Sequence, residues 1–198
     1  MSPAHELTSL LVAARNGDRV AEGRFWELVH AEVRRIAESV LAGDGVRRYL
    51  QPTELINEAY IRLIGDGATD WKSRHYFYAA AGRAMRQICV DYARKRRAAK
   101  RGGGKAMMEL NDLSPSHGEL GAQKQGAAWP PEDLLALDEA LERFERLDPE
   151  RAEAIVLHYF AGRSIDETAE MRGVSPRKID ADLRAAKAWL RTQMTGRS

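Results

Sequence analysis

Apolar residues along this chain recur at the spacing of a helix and almost nowhere alternate with polar ones. Phe25, Val29, Val33, Ile36 and Val40 make one stripe. Leu55, Ala59 and Leu63, with Ile56, Tyr60 and Ile64, make a second, and Met85, Ile88, Cys89 and Tyr92 a third. Side chains three and four positions apart share a helix face, whereas a half-buried strand needs a period of two. The expected fold is therefore all-α. The pattern stops between Arg101 and Pro131, where Gly102-Gly103-Gly104, Ser114-Pro115-Ser116, Gly118, Gly121, Gly126 and Pro130-Pro131 interrupt it with little apolar content between them. A structureless run of about 30 residues is uncommon inside one compact domain. It reads better as a flexible linker over 102–131 than as a large surface loop. Two small helical domains are thus expected, 1–101 and 132–198, each able to bury a modest core.

Composition narrows the class. The 198 residues are 44% hydrophobic and 30% charged, too apolar for a disordered chain. The single cysteine, Cys89, excludes an internal disulfide framework and suits a reducing cytoplasm. Met1 to Leu11 lacks a basic region followed by a long apolar run, and no stretch approaches the roughly 18 apolar residues of a membrane span. A cytoplasmic protein without membrane insertion is expected. The five histidines are scattered and share no ligand spacing with Cys89, so neither metal nor cofactor is expected. With no phosphate-cradling glycine loop on a strand, no nucleophile–base pair and no clustered carboxylates, an enzyme is not expected either.

Between Ser164 and Arg191 the turn chemistry is that of a helix-turn-helix. Ser164 and Glu167 form a capping box that starts a short helix with Ile165 and Ala169 turned inward. Gly173 stands where a left-handed C-terminal residue is needed, and Val174 can plug the space between the helices. Ser175 caps a second helix whose first position is Pro176, where a missing N–H costs nothing. Ile179, Leu183, Ala186 and Leu190 form its buried stripe. The opposite face carries Arg177, Ala181, Arg184 and Ala188, with Lys178 beside it. Arg177 and Lys178 are placed to reach base edges or phosphates, and Arg184 a phosphate further along. Ahead of this unit, Asp148-Pro149 starts another helix in the same capped way.

A second cationic feature precedes the linker. Arg83, Arg86, Arg94, Lys95, Arg96, Arg97, Lys100, Arg101 and Lys105 face a single acid, Asp91, so the segment carries +8 and the rest of the chain −6. Such separation points to a polyanion at one face. Arg83, Arg86, Arg94 and Arg97 fall opposite Met85, Ile88, Cys89 and Tyr92, so the helix can bury one side and lay arginines along a phosphate backbone. Upstream, Trp71, His75, Tyr76, Phe77 and Tyr78 cluster near a loop made by Gly65, Gly67 and Asp70. Aromatic rings beside a cationic groove suit single-stranded DNA, where stacking is worth about 1–3 kcal/mol per base. The alternative reading places most of these rings, Phe77 and Tyr78 among them, in the core and leaves Trp71, next to polar neighbours, the better stacking or loop-shaping candidate. Asp91, one turn before Lys95, fits an ion-pair partner. On the helix starting near Pro52, the face opposite the apolar stripe holds Glu54, Glu58 and Arg62 with Asn57 adjacent. It suits a protein partner or solvent rather than DNA.

These elements, in this order, resemble the extracytoplasmic-function sigma factors of the sigma-70 family, over nearly the whole chain outside the linker. Leu50-Gln51-Pro52-Thr53-Glu54-Leu55-Ile56-Asn57-Glu58-Ala59-Tyr60 is similar to the family's polymerase-clamp-binding helix. Trp71 to Phe77, Ala79 to Arg86 and Val90 to Arg94 are similar to its promoter-melting segment, with Lys100-Arg101-Gly102-Gly103-Gly104 as the exit. Ser164 to Trp189 is similar to the domain that reads the minus-thirty-five element. The resemblance implies a subunit that binds core RNA polymerase and directs promoter recognition, strand opening and transcription initiation. Glu54, Asn57, Glu58 and Arg62 would dock on the β′ clamp helices. Gly65 to Arg74 and the helix after it would capture a flipped minus-ten base, and Arg83 to Arg97 would hold the opened strand. The C-terminal domain would meet duplex DNA and the β flap, the linker would thread toward the active-site channel, and an anti-sigma factor or other regulator is a further expected partner. Relatives place basic residues slightly inside the recognition helix, where this chain has Asp180, Ala181 and Asp182; carboxylates there imply a weak or unusual minus-thirty-five contact. The competing reading is a helix-turn-helix repressor or activator acting without polymerase, which leaves the Glu54 face and the aromatic–arginine segment unused.

Overall fold

The computed structural model describes residues 3–42, 52–65, 73–101 and 131–195. Every regular element among them is helical, as the periodicity predicts. The N-terminal half comprises α1 (Pro3–Arg15), α2 (Arg19–Ala42), α3 (Pro52–Gly65) and α4 (Arg74–Arg101). The C-terminal half comprises α5 (Pro131–Leu147), α6 (Pro149–Ile155), a π-helical turn over Val156–Phe160 that continues α6, α7 (Ile165–Arg172) and α8 (Pro176–Thr195). The expected linker lies outside the described residues except for Pro131.

In the N-terminal half the three predicted stripes meet. Phe25, Val29, Val33 and Ile36 of α2 pack with Leu55, Ala59 and Leu63 of α3 and with Phe77, Ala81, Met85, Ile88 and Cys89 of α4. Helix α1 joins through Leu7 and Leu11. The reversal from α1 to α2 uses Gly17 at φ 88° and the Asp18 carboxylate, which accepts from the N–H groups of Val20 at 2.9 Å and Ala21 at 3.0 Å. Those donors have no helical carbonyl to reach, so an acidic cap satisfies them.

The C-terminal half has its own core, built from Leu137, Leu141 and Phe144 of α5, Ala152 and Ile155 of α6, Ala169 of α7, and Ile179, Leu183, Ala186 and Leu190 of α8. The two halves also pack on each other. Leu157 and Ala161, from the π-turn and the residue after it, are fully buried within the N-terminal core. Val90 and Ala93 of α4 meet Leu135 of α5. The π-turn makes this sharing feasible. Its wider closure, with the Ala161 N–H donating to the Val156 carbonyl at 2.9 Å, shifts the helix face so that Ile155 serves one core and Leu157 the other.

Candidate nucleic-acid and protein interfaces

Helix α4 is amphipathic as the arginine spacing predicts, with one exception. Arg83, Arg94, Lys95 and Arg97 are exposed, and Arg96 is half-buried. Arg86 instead turns inward. Its Nε donates to Asp138 Oδ1 at 2.7 Å and its Nη2 to the Asp138 carbonyl at 3.0 Å, while Glu145 lies 3.5 Å from Nη1. The helix wheel assigns Arg86 to the solvent row; α5, more than 40 residues later in the chain, covers it. For Lys100 and Arg101 the helical backbone is described but not the side chains. Trp71 and the loop before it lie outside the described residues.

The aromatic cluster divides. Phe77 and Tyr78 are fully buried, so neither offers a face to a base in this conformation. The reason is local: both lie on the stripe that continues through Ala81, Met85 and Ile88. The Tyr78 hydroxyl donates to Glu32 Oε2 at 2.8 Å, and the Arg163 guanidinium sits 4.3 Å from its ring centre. Burial first, and the Glu32 carboxylate next, push the phenol well above its ordinary range. His75 is half-buried, with Nε2 3.2 Å from Glu153 Oε1. Tyr76 is the ring that points out, 53% exposed. Its position off the buried stripe is the signal that singles it out.

On α3, Thr53, Glu54, Asn57, Glu58, Ile61 and Arg62 line one shallow groove. Ile61 is 67% exposed, an apolar residue in the middle of the predicted polar face. Reading the apolar stripe alone passes over it; its place three and four positions from Glu58 and Asn57 marks it as part of the same surface. Arg62 plays a different part. It donates to Glu58 Oε1 and to Asp91 Oδ2, both at 2.8 Å, and so ties α3 to α4 and orients Glu58. Asp91 is therefore an ion-pair partner, as expected, but chiefly of Arg62, with Arg94 at 3.5 Å, rather than of Lys95.

The helix-turn-helix matches its predicted caps in detail. The Glu167 N–H donates to Ser164 Oγ at 3.1 Å and the Ser164 N–H to Glu167 Oε2 at 2.9 Å. Gly173 adopts φ 66°, and the Lys178 N–H donates to Ser175 Oγ at 3.3 Å. Val174 stays exposed and does not plug the hairpin. Ser175, Pro176, Arg177, Lys178, Ala181 and Arg184 all face outward. Two of the three cations are paired within the helix: Lys178 Nζ bonds Asp182 at 2.6 Å, and Arg184 Nη1 lies 2.9 Å from Asp180 Oδ2. Arg177 has no acidic partner among the described residues. Asp182 does not share this outward face. Its side chain is 2% exposed and accepts from Arg151 Nε at 3.0 Å as well as from Lys178. Burial, the largest influence, raises its pKa, but the bonds from Lys178 and Arg151 outweigh it and hold the carboxyl below its usual range.

Among the described residues no helix is long and apolar enough to cross a membrane. No curated protein and no solved structure matches the chain. The profile of the family described as ECF sigma factor matches residues 4–196. Sigma factors of this kind are DNA-binding transcription regulators rather than enzymes, working with core RNA polymerase at promoters. With an outward acidic groove on α3, an arginine row on α4 and a capped helix-turn-helix in one chain, matched almost end to end, the protein belongs to the ECF sigma factor family.

Proposed function

We propose that the groove on α3 docks on the polymerase β′ clamp helices, that α4 with the loop before it captures and opens the minus-ten strand, and that α8 reads duplex DNA at the minus-thirty-five element beside the β flap. The observation that carries this division is the contrast between adjacent helices. Glu54, Asn57, Glu58 and the exposed Ile61 form a surface that repels phosphate and suits a protein. Arg83, Arg94, Lys95 and Arg97 form one that attracts phosphate. Tyr76 is the ring available for stacking among the described residues, with Trp71, which lies outside them, the other candidate, whereas His75, Phe77 and Tyr78 shape the helix start. On α8 the duplex contact rests first on Arg177, with Lys178 and Arg184 able to reach phosphates only by leaving Asp182 and Asp180. The chain acts in the cytoplasm, its linker passes toward the active-site channel, and an anti-sigma factor or other regulator binds it there.

Copurification with core polymerase, together with transcription from duplex and premelted templates, tests the reading. Core binding and initiation on both templates are expected. Duplex binding without any polymerase association would instead identify a free-standing repressor or activator.

A further inference from the structure

The cations of α8 are not placed alike. Arg177 and Arg184 stand roughly two turns apart, so they share one line along the helix with Ala181 and Ala188. Lys178 lies about 100° round from Arg177, on the flank where α8 meets α6. There its ammonium bonds both oxygens of Asp182 at 2.6 Å. Asp182 is itself fixed, since it is buried and accepts from Arg151 Nε at 3.0 Å. Arg151 is held in turn: its Nη1 donates to Asp148 Oδ2 at 2.9 Å. Asp148 caps α6 by accepting from the Arg151 N–H. Alternating charges thus run from the start of α6 to the flank of α8. Arg184, by contrast, pairs with Asp180 at 2.9 Å in the open, the two side chains being 70% and 43% exposed.

We infer that Asp182, positioned by Arg151, withholds Lys178 from duplex DNA and leaves Arg177 and Arg184 as the cations with which α8 grips it. The inference rests on the reading of α8 as the duplex-binding helix. What each cation leaves behind sets the difference. When Arg184 turns to a phosphate, Asp180 stays exposed and water solvates it, as in any surface pair. When Lys178 turns, a buried carboxylate loses bonds where little water can replace them, and a buried group left short of partners is costly. The phosphate would only repeat the charge-assisted bonds that Asp182 already supplies. Ala181 and Ala188 also let the Arg177–Arg184 line approach the duplex closely. A cation on the backbone strengthens binding to every sequence alike. Withholding one weakens α8 on all duplexes and leaves base reading at Arg177 intact.

The test uses the full chain assembled with core polymerase. The probe is the duplex that the complex enriches most from a random-sequence pool, and the readout is the slope of log affinity against log salt. Arg184→Ala is expected to lower the slope by about 0.9, one phosphate contact, and Lys178→Ala to leave it in place. Asp182→Asn is expected to steepen it by about 0.9 by freeing Lys178. Adding Lys178→Ala should then take that rise away, a reversal that a merely structural role for Asp182 would not give. Where Asp182→Asn fails to fold by circular dichroism, the single variants at Lys178 and Arg184, both on the surface, still decide. Equal loss of slope in those two would overturn the inference, as would a folded Asp182→Asn no steeper than the parent. Arg177→Ala separates this failure from a wider one. Lost preference for the enriched duplex over the pool means that only the withholding is wrong. Retained preference means that the assignment of α8 to the duplex is wrong too.

Discussion

Asp182 lies nearly two turns inside α8, three positions after Ile179 and one before Leu183, and so on the buried stripe rather than the outward one. Removing it takes a buried acceptor from Arg151 and Lys178, whose own side chains are 42% and 48% exposed and can turn to water. Asp182→Ala is expected to cost about 1 kcal/mol of stability, read from urea unfolding. The pH dependence follows from the sign of the shift. Because the folded carboxyl titrates below its unfolded value, its contribution is complete above about pH 4 and fades as pH falls through the folded pKa. Glu153 behaves alike, lowered first by its contact with His75. Acid unfolding of Asp182→Asn should accordingly be less steep below about pH 4 than that of the parent chain. Asp182's inward register can be deduced from the Ile179–Leu183 spacing. Its Arg151 partner cannot, since the two are 31 positions apart and only packing joins them.

Helices α3 and α4 differ in what periodicity could reveal. Their buried faces, and the capped starts of α6, α7 and α8, follow from residue spacing and turn chemistry, because those forces act within a few residues. The fate of Arg86 does not, since it depends on a helix across the linker. Arg94→Ala with Arg97→Ala is expected to lower the slope of log affinity against log salt for single-stranded DNA by about 1.4, two phosphate contacts' worth. An unaltered slope would remove those arginines from the interface. Glu54→Lys with Glu58→Lys should abolish core polymerase binding while circular dichroism stays unchanged. Ile61→Ala, which keeps the charges, should weaken it by about 1–2 kcal/mol if that side chain fills a pocket in the partner; binding titrations distinguish the two effects.

At the level of the whole molecule, the helices before and after the glycine-rich stretch build two cores among the described residues, and Leu157, from the C-terminal side, belongs to the N-terminal one. No periodicity argument could place it there, because it lies at a π-turn that breaks the helical register. Leu157→Ala should cost about 2–5 kcal/mol, and the loss should fall on residues of both halves. Single-tryptophan variants keeping Trp26 or Trp189 should unfold in urea at one midpoint in the parent and at two in Leu157→Ala, as shared burial gives way. The π-turn carries a mechanical corollary. It holds one residue more than an α-helical turn needs, and each residue advances a helix by about 100°. Deleting a single residue between Val156 and Phe160 would therefore swing α7 and α8 through roughly a quarter of a revolution relative to α4, re-aiming Arg177 without altering any side chain on the outward face of α8.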